Sequence, residues 1–118
     1  MNIDPEYNIT IEKPTTDNRT IDDDLDIKVD FNSASQQTIH HVKVRIFDKA
    51  TGTEVYNEPD PAHVHESDGD YEWEDSFKLS TDNGISADTE YTLEAKVWGH
   101  EAGTHEITET VDFTVNPQ

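Results

Sequence analysis

Leu25, Ile27, Val29 and Phe31 alternate, residue by residue, with Asp24, Asp26, Lys28 and Asp30. A period of two sends successive side chains to opposite faces of an extended strand, so one face is apolar and the other charged. The pattern recurs in Tyr7, Ile9 and Ile11, stopping at Pro14, and in Val42, Val44 and Ile46. It returns in a short run around Val55 and Tyr56 and in two final stretches, 89–98 and 105–115. Helical periodicity is nearly absent. Short alternating runs with turn signals between them, such as DKATG at 48–52, predict an all-β, antiparallel sandwich of about seven strands. With 118 residues and no internal repeat or linker, a single domain over 1–118 is expected, residues 1–7 being a lead-in.

The surface of such a sandwich is set by composition. There are 27 acidic residues against 8 basic ones, a formal charge of −19 and a pI near 4.3. That balance argues against nucleic acid and anionic membrane surfaces as partners, since both attract positive patches. It suits cations, basic partners or plain solubility, with a high-salt habitat ranked lower. Without cysteine there is no disulfide, thiolate metal site or cysteine nucleophile. No apolar run approaches the ~18 residues of a membrane span, so no membrane insertion by this segment is expected. The first dozen residues lack a signal pattern, and an exported protein would carry its signal or anchor outside this segment. No Gly-x-Ser-x-Gly elbow or glycine-rich phosphate loop occurs, and no enzymatic activity is expected.

The stretch PAHVHESDGDYEWED, 61–75, reads as a hairpin turning at Asp68-Gly69. That register pairs Val64 with Trp73 inward, and sets His65 opposite Glu72 and His63 opposite Glu74 outward. Two imidazoles and two carboxylates on one face are a candidate zinc or copper site: His63, His65, Glu72 and Glu74. The plainer reading is a cross-strand ladder of histidines beside glutamates.

Face matching also registers the last hairpin, with a turn at Glu101-Ala102-Gly103. Val97 then meets Ile107, Leu93 meets Val111 and Tyr91 meets Phe113. Outward, Trp98 meets Glu106 and Lys96 meets Thr108. Trp98, flanked by Lys96 and His100, is a candidate contact surface for a protein or carbohydrate partner, because tryptophan offers a large apolar face with a polar edge. A neighbouring side chain covering it is the plainer reading. Outward on the third strand, His41, Lys43 and Arg45 form the one basic stripe, expected to pair with carboxylates on adjacent strands.

ISADTEYTLEAKVW, 85–98, resembles the E–F corner and F strand of fibronectin type III and related immunoglobulin-like domains. LDIKVDF, 25–31, is similar to their B strand, with Phe31 where fibronectin modules usually carry tryptophan. The resemblance implies an immunoglobulin-like sandwich in which Tyr91 is buried at the corner, its hydroxyl bonded to nearby backbone. In overall style the chain also resembles immunoglobulin-like domains of bacterial secreted or lipid-anchored proteins. That likeness implies an extracytoplasmic binding or spacer module with no catalytic residues.

Other features stand apart from these surfaces. Asp22, Asp23, Asp24 and Asp26, with Asp17 as a further candidate, crowd one connection, where weak calcium association is conceivable, but EF-hand spacing is missing. Asp75 and Glu109 fall on inward parities and need a bulge or a buried partner. Asn8-Ile9-Thr10 and Asn18-Arg19-Thr20 match the asparagine glycosylation sequon. Six histidines on so negative a body also leave room for a pH sensor.

Overall fold

The computed structural model describes residues 7–16, 18–33, 39–57, 62–66, 70–98 and 106–118, with backbone alone at 40 and 62–66. Among these residues nine strands are found: β1 Tyr7–Lys13, β2 Arg19–Thr20, β3 Asp24–Ser33, β4 Ile39–Asp48, β5 Glu54–Asn57, β6 Ala62–Glu66, β7 Asp70–Lys78, β8 Thr89–Trp98 and β9 Ile107–Asn116. One sheet has the order β1-β3-β7. The other runs β2-β9-β8-β4-β5, with β6 also on β4. No described helix is long and apolar enough to cross a membrane.

Alternation builds the core as expected. Leu25, Ile27, Val29 and Phe31 of β3 are at most 1% exposed, and Val42, Val44, Ile46, Leu93, Ala95 and Val97 of β4 and β8 are fully buried. Each of these side chains other than that of Ala95 contributes about 1.5–3 kcal/mol on burial. The interleaved charges stay on the outer faces, out of the core, with Lys28 and Asp30 half-buried there.

The last hairpin keeps the expected register: Val97 opposite Ile107, Leu93 opposite Val111, Tyr91 opposite Phe113 and Lys96 opposite Thr108. Tyr91 is 1% exposed, and its hydroxyl accepts a hydrogen bond from the Ser86 N–H at 2.8 Å. The corner that brings them together turns through Asp88, whose φ is 57°.

Two expectations about the strands change. The connection 15–24 contains β2, which pairs in parallel with β9 (Arg19 opposite Val115, Thr20 opposite Asn116), so the sandwich is not purely antiparallel. The hairpin over 61–75 is not formed. β6 pairs with β4, placing His63 opposite His41, while β7 pairs with β3, placing Trp73 opposite Val29. The physical reason is ladder length. β3 offers β7 nine consecutive pairs, and the β4 edge beside Ile39–Val42 is open to β6. An isolated two-stranded ribbon is marginal in water, whereas each strand gains a full sheet edge this way.

Tyr91→Phe is expected to leave the fold intact and cost about 0.5–1.5 kcal/mol, because the Ser86 N–H loses its acceptor. Urea unfolding with an unchanged m-value checks this.

Candidate binding faces

On the outer face of the larger sheet, β4 and β8 set His41 opposite Trp98, Lys43 opposite Lys96, Arg45 opposite Glu94 and Phe47 opposite Thr92. Trp98 is on the outward parity expected of it but is only 8% exposed. The His41 ring lies against it, 5.3 Å between centroids and 5° from parallel. The free tryptophan anchor expected from the sequence is therefore a covered one.

Arg45 organises the middle of this face. Its guanidinium forks onto Glu94 at 2.9 and 3.3 Å, reaches Glu54 at 3.5 Å and lies 4.5 Å from the Phe47 ring centroid. Glu94, with a side chain 14% exposed, also draws in Lys96 at 3.9 Å, and Glu106 meets Lys96 at the same distance. A bidentate guanidinium–carboxylate pair with restricted water is stronger than the usual surface pair. Within the basic stripe Arg45 is matched by acids on neighbouring strands, as expected, while the His41 ring covers Trp98. At its far end Lys49 meets Asp112 at 2.7 Å, and the Thr92 hydroxyl donates to the same carboxylate at 2.7 Å. These two hydrogen bonds, Lys49 first, hold the Asp112 carboxyl below its ordinary pKa.

The outer face of the smaller sheet is different. β3 and β7 place Asp30 opposite Glu72 and Lys28 opposite Glu74. Lys28 stands among Glu12 at 3.5 Å, Glu72 at 3.8 Å and Glu74 at 3.9 Å. Partial burial, followed by a hydrogen bond with Asp70, pushes the Asp30 carboxyl up. A hydrogen bond with Glu74, then burial, does the same for Glu72. Around Lys28 and Asp30 carboxylates crowd one another, which raises the cost of ionising Asp30 and Glu72.

The metal set expected from the sequence is divided by this topology. Glu72 and Glu74 flank Lys28 on the smaller sheet, while His63 and His65 are on β6 of the larger. The side chains of His63 and His65 lie outside the described residues, as does His100. Among the described residues no group of three or more His, Asp or Glu side chains is placed to hold an ion.

Asp75 keeps its inward parity, opposite Ile27, without any register shift between β3 and β7. Its partner comes from the other sheet: the Tyr56 hydroxyl of β5 donates to Asp75 Oδ2 at 2.6 Å, and Trp73 Nε1 donates to that hydroxyl at 3.3 Å. Phe77 packs on the Tyr56 ring at 5.1 Å. This is a latch between the sheets at their open edge. Glu109, opposite Ala95 on β9, is exposed. In the acidic connection, Asp23 Oδ2 accepts from the Thr20 N–H at 3.3 Å and Asp22 adopts φ 74°, so these residues build the turn into β3. Sequence reasoning missed Glu94 as the partner of Arg45 and Tyr56 as the partner of Asp75. Parity alone marks both acids, but the register between strands distant in sequence is needed to name their partners.

No family model and no curated protein matches this chain. Solved structures do. The CARDB domain of PF1109 from Pyrococcus furiosus, determined by NMR in solution, aligns over 96% of this chain and 96% of its own, with TM-score 0.60 and 17% identity. The crystal structure of the same domain in complex with di-metal ions aligns over 98% and 94%, with TM-score 0.57 and 16% identity. At these identities the likeness shows the fold. This chain is an immunoglobulin-like β-sandwich.

These shifts fix the expected response to pH, and the net charge fixes the response to salt. Asp30 and Glu72 titrate above their ordinary values of 3.8 and 4.5, so protonation favours the folded state. Their contribution is fully present below those values and is lost as pH rises through the raised ones. Asp112 acts oppositely: its contribution is present above 3.8 and is lost as pH falls through its lowered value. Melting temperature is therefore expected to rise as pH falls through the raised values of Asp30 and Glu72, to fall again in stronger acid as Asp112 protonates, and to rise with NaCl at pH 7 as the −19 charge is screened. Thermal melts across pH and salt check all three slopes.

Proposed function

We propose that this domain is a non-enzymatic extracytoplasmic module that spaces or presents other parts of its protein, in the manner of fibronectin type III domains. The path of the chain carries this reading. β1 starts at Tyr7 beside Ser33, the last residue of β3, and β9 ends at Asn116, whose carbonyl accepts from the Ile21 N–H at 2.8 Å, just before β3 begins. Entry and exit are separated by the ten residues of β3, roughly 30 Å at strand rise. A tension between the two ends loads the β1–β3 and β2–β9 ladders along their length, shearing their hydrogen bonds together rather than unzipping them singly. The free edge strand β7 carries Asp70, Glu72 and Glu74, which discourages edge-to-edge pairing in a crowded array. For a protein or carbohydrate partner at the cell surface, the surface offered is the larger sheet around Lys96, Arg45 and the Trp98–His41 stack, followed in sequence by His100.

Replacing residues 7–116 in the native protein with an unrelated sandwich of equal length tests the spacer reading. Retained surface display and retained activity of the parent protein are expected. Loss of activity with display intact overturns the spacer reading in favour of specific binding. Cell fractionation tests the compartment separately, and a cytoplasmic protein overturns that part alone.

The second reading is a zinc- or copper-binding domain, favoured by the register that sets His63 opposite His41 and by the di-metal complex of the Pyrococcus neighbour. A native-state site is expected to raise stability by roughly 2.7 kcal/mol at a hundredfold excess of ion over Kd. Melts with zinc, copper and calcium, repeated on the His63→Ala plus His65→Ala variant, decide it. A flat response to all three ions, or one that survives the double substitution, removes these histidines as ligands.

A further inference from the structure

The two sequons of this chain sit in different backbone settings. Asn8 is inside β1, in register with Asn32, and its Nδ2 donates to Asn32 Oδ1 at 3.3 Å on the outer face of the smaller sheet. Asn18 lies outside every strand, exposed, in the connection between Pro14 and β2. Modification of an asparagine amide requires the backbone to swing out into a transferase so that the nitrogen can be twisted out of conjugation with its carbonyl. A residue locked in a ladder resists this, and one in a loop permits it. The third sequon position, Thr20, is half-buried, in register with Asn116, with its N–H donating to Asp23 Oδ2 at 3.3 Å and its carbonyl accepting from the Asp23 N–H at 3.1 Å.

We propose that Asn18 is the acceptor of an asparagine-linked glycan, an inference that rests on the extracytoplasmic reading above. The donor is a sugar carried on a polyprenyl phosphate. The Asn18 Nδ2 forms a bond to the anomeric carbon, the bond from that carbon to the phosphate oxygen breaks, and the phosphate leaves with the electron pair. The amide gives up one proton to a base of the transferase. No oxidant or reductant is needed.

The position gives the modification a purpose. Thr20 is the register partner of Asn116, so a glycan on Asn18 stands at the end of the sandwich where the chain leaves it. There it stands beside the turn through Asp22 and Asp23, which bonds Thr20. A glycan on Asn8 would instead stand on the crowded smaller sheet, beside Asn32.

The test secretes the whole chain, behind an added leader, from a eukaryotic host that glycosylates asparagine, and maps the purified protein by glycopeptide mass spectrometry. The expected result is a glycan on Asn18 in most molecules, little on Asn8, and loss of the main glycoform in both Asn18→Gln and Thr20→Ala. Asn18 is exposed, so Asn18→Gln is expected to melt as the parent does after enzymatic deglycosylation. Secreted, folded protein with a bare Asn18, or with its glycan on Asn8 alone, overturns the assignment. Because the leader enforces passage through the secretory pathway, that failure is distinct from failure of the extracytoplasmic reading, which fractionation of the native host decides.

Discussion

The row of four apolar side chains on β3 must be covered on one face while the charges between them remain in water, and the rest of the domain follows from meeting both demands. β4 and β8 supply the cover, with Val42, Val44, Ile46, Leu93, Ala95 and Val97 all fully buried. Because the pleat is strictly two-residue, no charge from any of these three strands has to enter the core. Tyr91 then closes one end of the sandwich, bonding the Ser86 backbone of the corner that precedes its own strand. An acidic composition that would be ruinous inside the molecule is thereby confined to two outer faces.

Those faces handle the surplus of carboxylates differently. The larger sheet pairs its acids with Arg45, Lys96 and Lys49, each cation reaching two carboxylates. The smaller sheet gives Glu12, Glu72 and Glu74 a single shared cation, Lys28, and Asp30 and Asp70 a hydrogen bond to each other. One molecule thus carries a neutralised mosaic on one side and an under-neutralised acidic surface on the other. Only the first has the mixture of aromatic and charged groups that recognition surfaces use. The open edge between the sheets is fastened by the Tyr56–Asp75 hydrogen bond, and Asp75 keeps its inward parity because at that edge it still reaches water.

Local pairing was legible without any structure. The β8–β9 register could be written down because its strands are adjacent in sequence and every apolar residue found an apolar partner. The burial of Tyr91 followed from the likeness of its corner to immunoglobulin-like domains. The reading of 61–75 failed for the opposite reason. His-x-His and Glu-x-Glu are equally compatible with a ribbon and with two strands bound for different sheets, and the difference depends on β3 and β4, which are far away in sequence. Trp98 shows the same limit. Parity placed it outward correctly, but whether it met solvent depended on His41, which lies across the β4–β8 ladder.

The sequence by itself determined the strand-rich architecture, the membership of the core and the two-sidedness of each strand, because side-chain alternation is a property of the chain and needs no partner. The tertiary structure alone decided which strands became neighbours, and hence that Glu72 and Glu74 surround Lys28 instead of facing histidines, that Arg45 is held by Glu94, and that Asp75 finds Tyr56. Pairing is a competition among strand edges for the longest compatible ladder. Its outcome depends on all the edges present, which no single stretch of sequence contains.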